Sequence, residues 1–229
     1  MIRVAVVDDD PLTRAAIATL VNAAQDISVV AEAADGQDAL TKARAERPDV
    51  ILMDVRMPGI DGVEATRAVI KEGLTTHNEH PVRIIILTVY HADDAVYAAL
   101  RAGASGFLLK DDAPEQIVSA IRAVASGDAW LNPAVTRQLI DKFNDQPEDH
   151  ATTPAQMAQL TAREREVLVL LAQGLDNAGV AGKLFISEHT VKTHLANVMK
   201  KLGVREKAQA VIAAYQCGLV QGGSPHQDR

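Results

Sequence analysis

Five short apolar runs recur at helix-length intervals in the first ~125 residues: 2–7 (IRVAVV), 28–32 (SVVAE), 49–55 (DVILMDV), 83–89 (RIIILTV) and 106–110 (GFLLK). Parallel strands need crossovers of a dozen or more residues, and strands covered on both faces read as near-continuous apolar stretches. The spacing therefore predicts an α/β doubly wound domain with a five-stranded parallel sheet. The intervening segments carry the helical period, as in Ile17, Leu20, Val21, Ala24 and in Ile117, Ala120, Ile121, Val124. Asp10 followed by Pro11 reads as an N-cap and first helical residue. In such a sheet, ligands sit beyond the carboxyl ends of the strands.

The chain has 229 residues, room for a second domain. Residues 126–159 read as a linker, in which a short helix over 133–143 leads into the polar, proline-bearing DQPEDHATTPAQ. Beyond it, 160–220 reads as wholly helical. Thr161 and Glu164 form a capping box ahead of Val167, Leu170 and Leu171. Gly174 stops that helix, Asp176 caps a short one over 177–184, and Ser187 caps a longer one ending at Gly203. A last helix covers roughly 206–217. The turn around Phe185–Ser187 has helix-turn-helix spacing, so the second domain is expected to be a small all-α helix-turn-helix unit. Residues 221–229 read as a disordered tail.

Composition narrows the function. Aromatic residues are only 3%, too few for platforms that stack single-stranded bases. A single cysteine, Cys217, excludes an internal disulfide and a multi-cysteine zinc site. No apolar run approaches the ~18 residues of a membrane span. Asp8, Asp9 and Asp10 come too early for a signal peptide, so a cytoplasmic protein with no membrane partner is expected. The net charge of −7 at first argues against a nucleic-acid partner, but it is unevenly placed. Residues 1–125 hold 12 basic and 19 acidic side chains, 126–159 hold 2 and 5, and 160–229 hold 9 and 6. The acidic first module and basic last module imply different partners, the last being suited to phosphate contact.

Asp8 and Asp9 follow the first strand, Asp54 ends the third, Thr88 ends the fourth and Lys110 follows the fifth. With the first and third strands adjacent, these groups converge. Three close carboxylates repel one another unless a cation sits among them, and an all-oxygen, solvent-open set suits Mg²⁺. The cation keeps Asp54 ionised as a carboxylate nucleophile toward phosphorus. Lys110 balances the charge of a phosphoryl product, and Thr88 donates a hydrogen bond to it. Each residue alone has a plainer reading, as turn cap, strand residue or solvated charge; their joint placement at strand ends favours the pocket.

The blocks VVDDD (6–10), ILMDVRMPGIDG (51–62), LTVY (87–90) and GASGFLLKDD (103–112), in that order, resemble a CheY-like response-regulator receiver over essentially all of 1–125. The resemblance implies that Asp54 is the phosphoacceptor. It implies that Asp9, Asp54 and the backbone carbonyl of Arg56 ligate Mg²⁺, with Asp8 acting through water. Thr88 and Phe107 become the switch pair, Phe107 moving inward on phosphorylation, and Lys110 the phosphate partner. No direct role falls to Asp10.

Wound as a helix, 188–202 turns Val191, Leu195, Val198 and Leu202 to one side and Lys192, Thr193, Ala196, Asn197, Lys200 and Lys201 to the rest. Short polar groups near the start and lysines at the end suit base edges and phosphates of a major groove; a solvated helix with ordinary lysines has the same pattern. The stretch 160–204 resembles a LuxR-type output domain, and receiver plus tail the NarL/FixJ arrangement. This implies sequence-specific binding of double-stranded DNA through 188–202. It also implies a homodimer when phosphorylated, formed partly through the last helix, where Ala208, Val211, Ile212 and Tyr215 recur at helical spacing; the same stripe also suits interior packing. His194 stands where the family often has histidine, and no metal partner is in sight. Gly179 and Gly182 depart from the family's helix formers and cost ~1 kcal/mol each against alanine in a helix interior.

The expected function is a transcriptional response regulator, phosphorylated on Asp54 by a cognate sensor histidine kinase or a small phosphodonor. One rival is a regulator whose receiver works unphosphorylated as an interaction module. Another is an Asp-nucleophile phosphatase, which places a second acid two residues after the nucleophile. Arg56 stands there instead and cannot act as a carboxyl acid or base, so separate substrate turnover is not expected.

Overall fold

A computed structural model describes residues 1–89, 94–130 and 154–220. The chain divides into two compact units after Asn132. The first alternates β1 (Ile2–Val7), α1 (Pro11–Asn22), β2 (Ile27–Ala33), α2 (Gly36–Glu46), β3 (Val50–Asp54), α3 (Gly62–Glu72), β4 (Arg83–Thr88), α4 (Asp94–Ala102), β5 (Gly106–Leu109) and α5 (Pro114–Ala125). The strands form one parallel sheet in the order β2-β1-β3-β4-β5. The chain steps outward from β1 to β2 and then returns to β3, so the crevice opens between the carboxyl ends of β1 and β3.

Every residue of β3 is buried, which accounts for its unbroken apolar run. On one sheet face Val6, Leu52, Ile85 and Leu108 pack with Ile117 and Ile121 of α5. Aspartates start several helices: Asp10 accepts from the amides of Leu12 and Thr13, Asp35 from Asp38, and Asp61 from Glu64. Each satisfies donors that the first helical turn leaves open.

The second unit contains α6 (Pro154–Ala158), α7 (Ala162–Ala172), α8 (Asn177–Leu184), α9 (Glu188–Leu202) and α10 (Lys207–Gln216). The capping box forms: the Thr161 amide donates to Glu164 Oε2 at 2.7 Å, and the Glu164 amide to Thr161 Oγ1 at 3.3 Å. Ser187 caps α9, and Gly203 ends it at φ 71°, a left-handed conformation that glycine adopts without a Cβ clash. Val167, Leu168, Leu171, Val191, Leu195 and Val198 share one core. No helix among the described residues is long and apolar enough to cross a membrane.

Both described ends of the stretch read as a linker are packed. Trp130 lies against the sheet unit's core, and Met157 is buried in the helical one. The helix expected over 133–143 and the tail 221–229 lie outside the described residues, as does Tyr90 of the LTVY block.

Candidate functional site

Strand register assembles the acidic pocket. Val7 pairs with Met53, Asp54 with Leu87, and Thr88 with Leu109. Asp8, Asp54, Thr88 and Lys110 therefore leave the sheet at nearly one level. Asp8 is fully buried, Asp54 is 5% exposed, and Asp9 is exposed. One carboxylate oxygen from each of the three aspartates lies within 4.8 Å of the others. Lys110 Nζ bridges two of them, 2.7 Å from Asp8 Oδ2 and 2.9 Å from Asp54 Oδ2. The Val55 amide donates to Asp54 Oδ1 at 2.7 Å, leaving the Oδ2 side of that carboxylate to the lysine.

Burial pushes the Asp54 carboxyl above its ordinary range; the Lys110 ammonium opposes the rise and the Asp8 charge adds to it. Lys110 is also burdened by burial, yet its hydrogen bonds to Asp8 and Asp54 raise it overall and hold its charge. An extra cation would favour the ionised form of Asp54. The all-carboxylate donor set, with one member open to solvent, fits a hard divalent ion such as Mg²⁺. Arg56 lies in the loop after β3 with its side chain exposed.

Gly62, the first residue of α3, fixes the floor of this pocket, a role the sequence reading missed. Its amide donates to Val55 O at 3.0 Å, and a Cβ there would stand 2.0 Å from the Asp54 carbonyl oxygen. The Asp61–Gly62 step is the one local signal for it. Asp10 caps α1, accepting from the amides of Leu12 and Thr13. Thr88 is buried, and Phe107 is fully buried. Phe107 lies on β5, two residues before the strand ends at Leu109, with Thr88 paired to Leu109 on the neighbouring strand.

In the helical unit, Lys192, Thr193, Ala196, Asn197 and Lys200 share the exposed side of α9, with Val191, Leu195, Val198 and Leu202 buried beneath. Thr193 Oγ1 also donates back to His189 O at 3.0 Å. Lys201 stands apart. Its ammonium lies 2.5 Å from Glu164 Oε2, and that carboxylate side chain is only 6% exposed. The capping glutamate thus tethers the end of α9 to the start of α7.

The stripe on the last helix has two readings, pairing of two chains and interior packing. Val211 belongs to the unit's core, and Ala208 and Ile212 are buried. Tyr215 packs against that core and donates its hydroxyl to Ala172 O at 2.7 Å. Val211 and Tyr215 thus take the interior reading, packed in one core with Leu168, Leu171 and Ala172 of α7.

Residues 4–122 match the family model of the response regulator receiver domain, and 158–214 that of the luxR family of bacterial regulatory proteins. The chain is 41% identical over 221 residues to the uncharacterized transcriptional regulatory protein YxjL of Bacillus subtilis, covering 96% of this chain and 98% of that one. It is 36% identical over 210 residues to the nitrate/nitrite response regulator protein NarL of Escherichia coli, covering 92% and 93%. Among solved structures, the response regulator ChrA of a heme-sensing two-component system aligns with TM-score 0.52 and 39% identity over 96% of this chain and 98% of that one. RcsB dimers bound to DNA align with TM-score 0.53 over 93% and 96% at 24% identity, a likeness of fold alone.

Proposed function

Because the chain belongs to the two-component response regulators, with a receiver followed by a LuxR-type DNA-binding domain, we propose that Asp54 is its phosphoacceptor and that phosphorylation governs DNA binding by α9. The observation that carries this is the buried Asp54 carboxylate, with Asp8 and Asp9 within 4.8 Å and Lys110 at 2.9 Å. An Asp54 carboxylate oxygen attacks the phosphorus of a phosphohistidine on a sensor kinase, or of a small acyl phosphate. The bond to the donor breaks, the donor leaves with the electron pair, and an acyl phosphate remains on Asp54. Asp8, Asp9, Asp54 and the Arg56 carbonyl would hold Mg²⁺, which when bound offsets negative charge on the carboxylates and the phosphoryl oxygens. Lys110 exchanges its carboxylate partners for the phosphoryl group, and Thr88 supplies a hydroxyl donor. A kinase donor of this kind places the reaction in the cytoplasm.

In the helical domain, Lys192, Thr193, Ala196 and Asn197 take the base-edge side of the groove and Lys200 a phosphate. Lys201 serves the scaffold through Glu164. Phosphorylation brings two chains together on surfaces other than the buried stripe of α10. The family is a transcriptional regulator, and the Arg56 side chain supplies no acid for catalytic turnover of a separate phosphoester.

Gel shifts on the protein's own promoter test the proposal, with acetyl phosphate and Mg²⁺ present or absent, for wild type and Asp54→Ala. Phosphodonor-dependent binding that is lost in the variant is expected. Equal phosphate uptake by both proteins would overturn the assignment, and phosphodonor-independent binding by both would favour the interaction-module reading.

A further inference from the structure

β5 is the last strand in the sheet order, yet its outer edge is not bare. Trp130, five residues beyond the end of α5 (Ala125), bridges to Gly106 in parallel. The Phe107 amide donates to Trp130 O at 2.9 Å, and the Trp130 amide donates to Ser105 O at 3.3 Å. The indole-bearing residue is half-buried against the core that holds Ile85, Leu108 and Ile121. Contact is close: a Cβ on Gly106 would stand 3.2 Å from Trp130 O and 3.3 Å from Trp130 Cβ. The backbone that leaves the receiver is thus hydrogen-bonded to the backbone of Phe107.

The other end of β5 meets the pocket. Lys110 directly follows the strand, its amide donates to Thr88 O at 2.8 Å, and its ammonium holds Asp8 and Asp54. Only the four residues of β5 separate the pocket lysine from the Ser105–Trp130 hydrogen bond. A pull on Lys110 and Thr88 therefore acts on one end of a four-residue strand whose other end carries the two Trp130 hydrogen bonds.

We propose that Trp130 is a positioning residue that reads the state of Asp54 through β5, its two backbone hydrogen bonds to Ser105 and Phe107 loosening when Asp54 carries a phosphoryl group. The inference rests on the reading of Asp54 as phosphoacceptor. Such a shift needs only a difference in interaction between two arrangements of one strand edge.

Trp130 is the one tryptophan in the chain, so the intact protein reports on it directly. Full-length protein is treated with Mg²⁺ and acetyl phosphate. Intact mass follows phosphate uptake, while emission and acrylamide quenching follow the indole. The expected result is phosphate on Asp54 together with a red-shifted emission and an about twofold larger quenching constant, as the minor arrangement becomes the major one. Both changes vanish in Asp54→Asn. Gly106→Ala, which presses on Trp130 without touching Asp54, Thr88 or Lys110, takes up phosphate normally but starts from the more quenched state. Full phosphate uptake with emission and quenching unchanged overturns the role of Trp130 and leaves Asp54 as the phosphoacceptor. Absence of phosphate on Asp54 overturns both readings.

Discussion

Replacing Gly182 with alanine should stabilise the DNA-binding domain, and the structure sets the size of the effect. Gly182 sits inside α8, exposed, and a Cβ added there would meet nothing within 4 Å. The gain is then the helix-propensity difference, about 0.5–1 kcal/mol. For a unit of 60–100 residues, 1 kcal/mol shifts Tm by about 4–8 °C, so Gly182→Ala should raise it by about 2–8 °C. Gly179 provides the internal contrast. Its Cβ would lie 3.1 Å from Asp176 Oδ1, the atom that accepts the Gly179 amide at 2.7 Å to cap the helix. Crowding the cap offsets the propensity gain, so Gly179→Ala should yield less than half as much. Scanning calorimetry of the full chain resolves the two units, and Trp130 emission identifies the receiver transition. Equal gains from both substitutions, or a lower Tm for Gly182→Ala, would refute the reasoning.

Lys110→Met removes the cation from two buried carboxylates. It should cost about 2–4 kcal/mol at neutral pH without metal, most of it recovered with Mg²⁺, as read by urea denaturation. Glu164 is disfavoured by burial, but the Lys201 hydrogen bond and those from Thr161 hold its carboxyl below the ordinary 4.5. Its stabilisation is therefore complete above that value and lost as pH falls through the lower folded one, so the Tm of the helical unit should drop in acid and Glu164→Gln should flatten that drop. Lys200→Ala should reduce the salt slope of DNA binding by about 1, whereas Lys201→Ala should leave the slope and lower the Tm of the helical unit.

The parallel sheet and its pocket were legible because both signals are local. An unbroken apolar run marks a strand covered on both faces, and the acid that ends it marks the carboxyl edge. Asp8, Asp54, Thr88 and Lys110 needed only the β1–β3 adjacency to converge, and the register supplies it. What the sequence hid is non-local. Helical spacing shows that Val211 and Tyr215 share a face, but not that they pack in one core with α7. A helical wheel places Lys201 on the polar side, with no hint of a buried partner 37 residues earlier. Trp130 lies beyond the last periodic helix, where nothing in its neighbourhood announces a strand partner.

The covered edge of β5 also says where this protein can be cut. A receiver excised at Ala125, where α5 ends, would expose the amide of Phe107 and the carbonyl of Ser105 that Trp130 now occupies. An open strand edge beside Phe107 invites pairing with another chain. Chimeras that graft this receiver onto a foreign effector should therefore keep Trp130 on the receiver side of the seam, and fusions that omit it should be the ones that aggregate during expression.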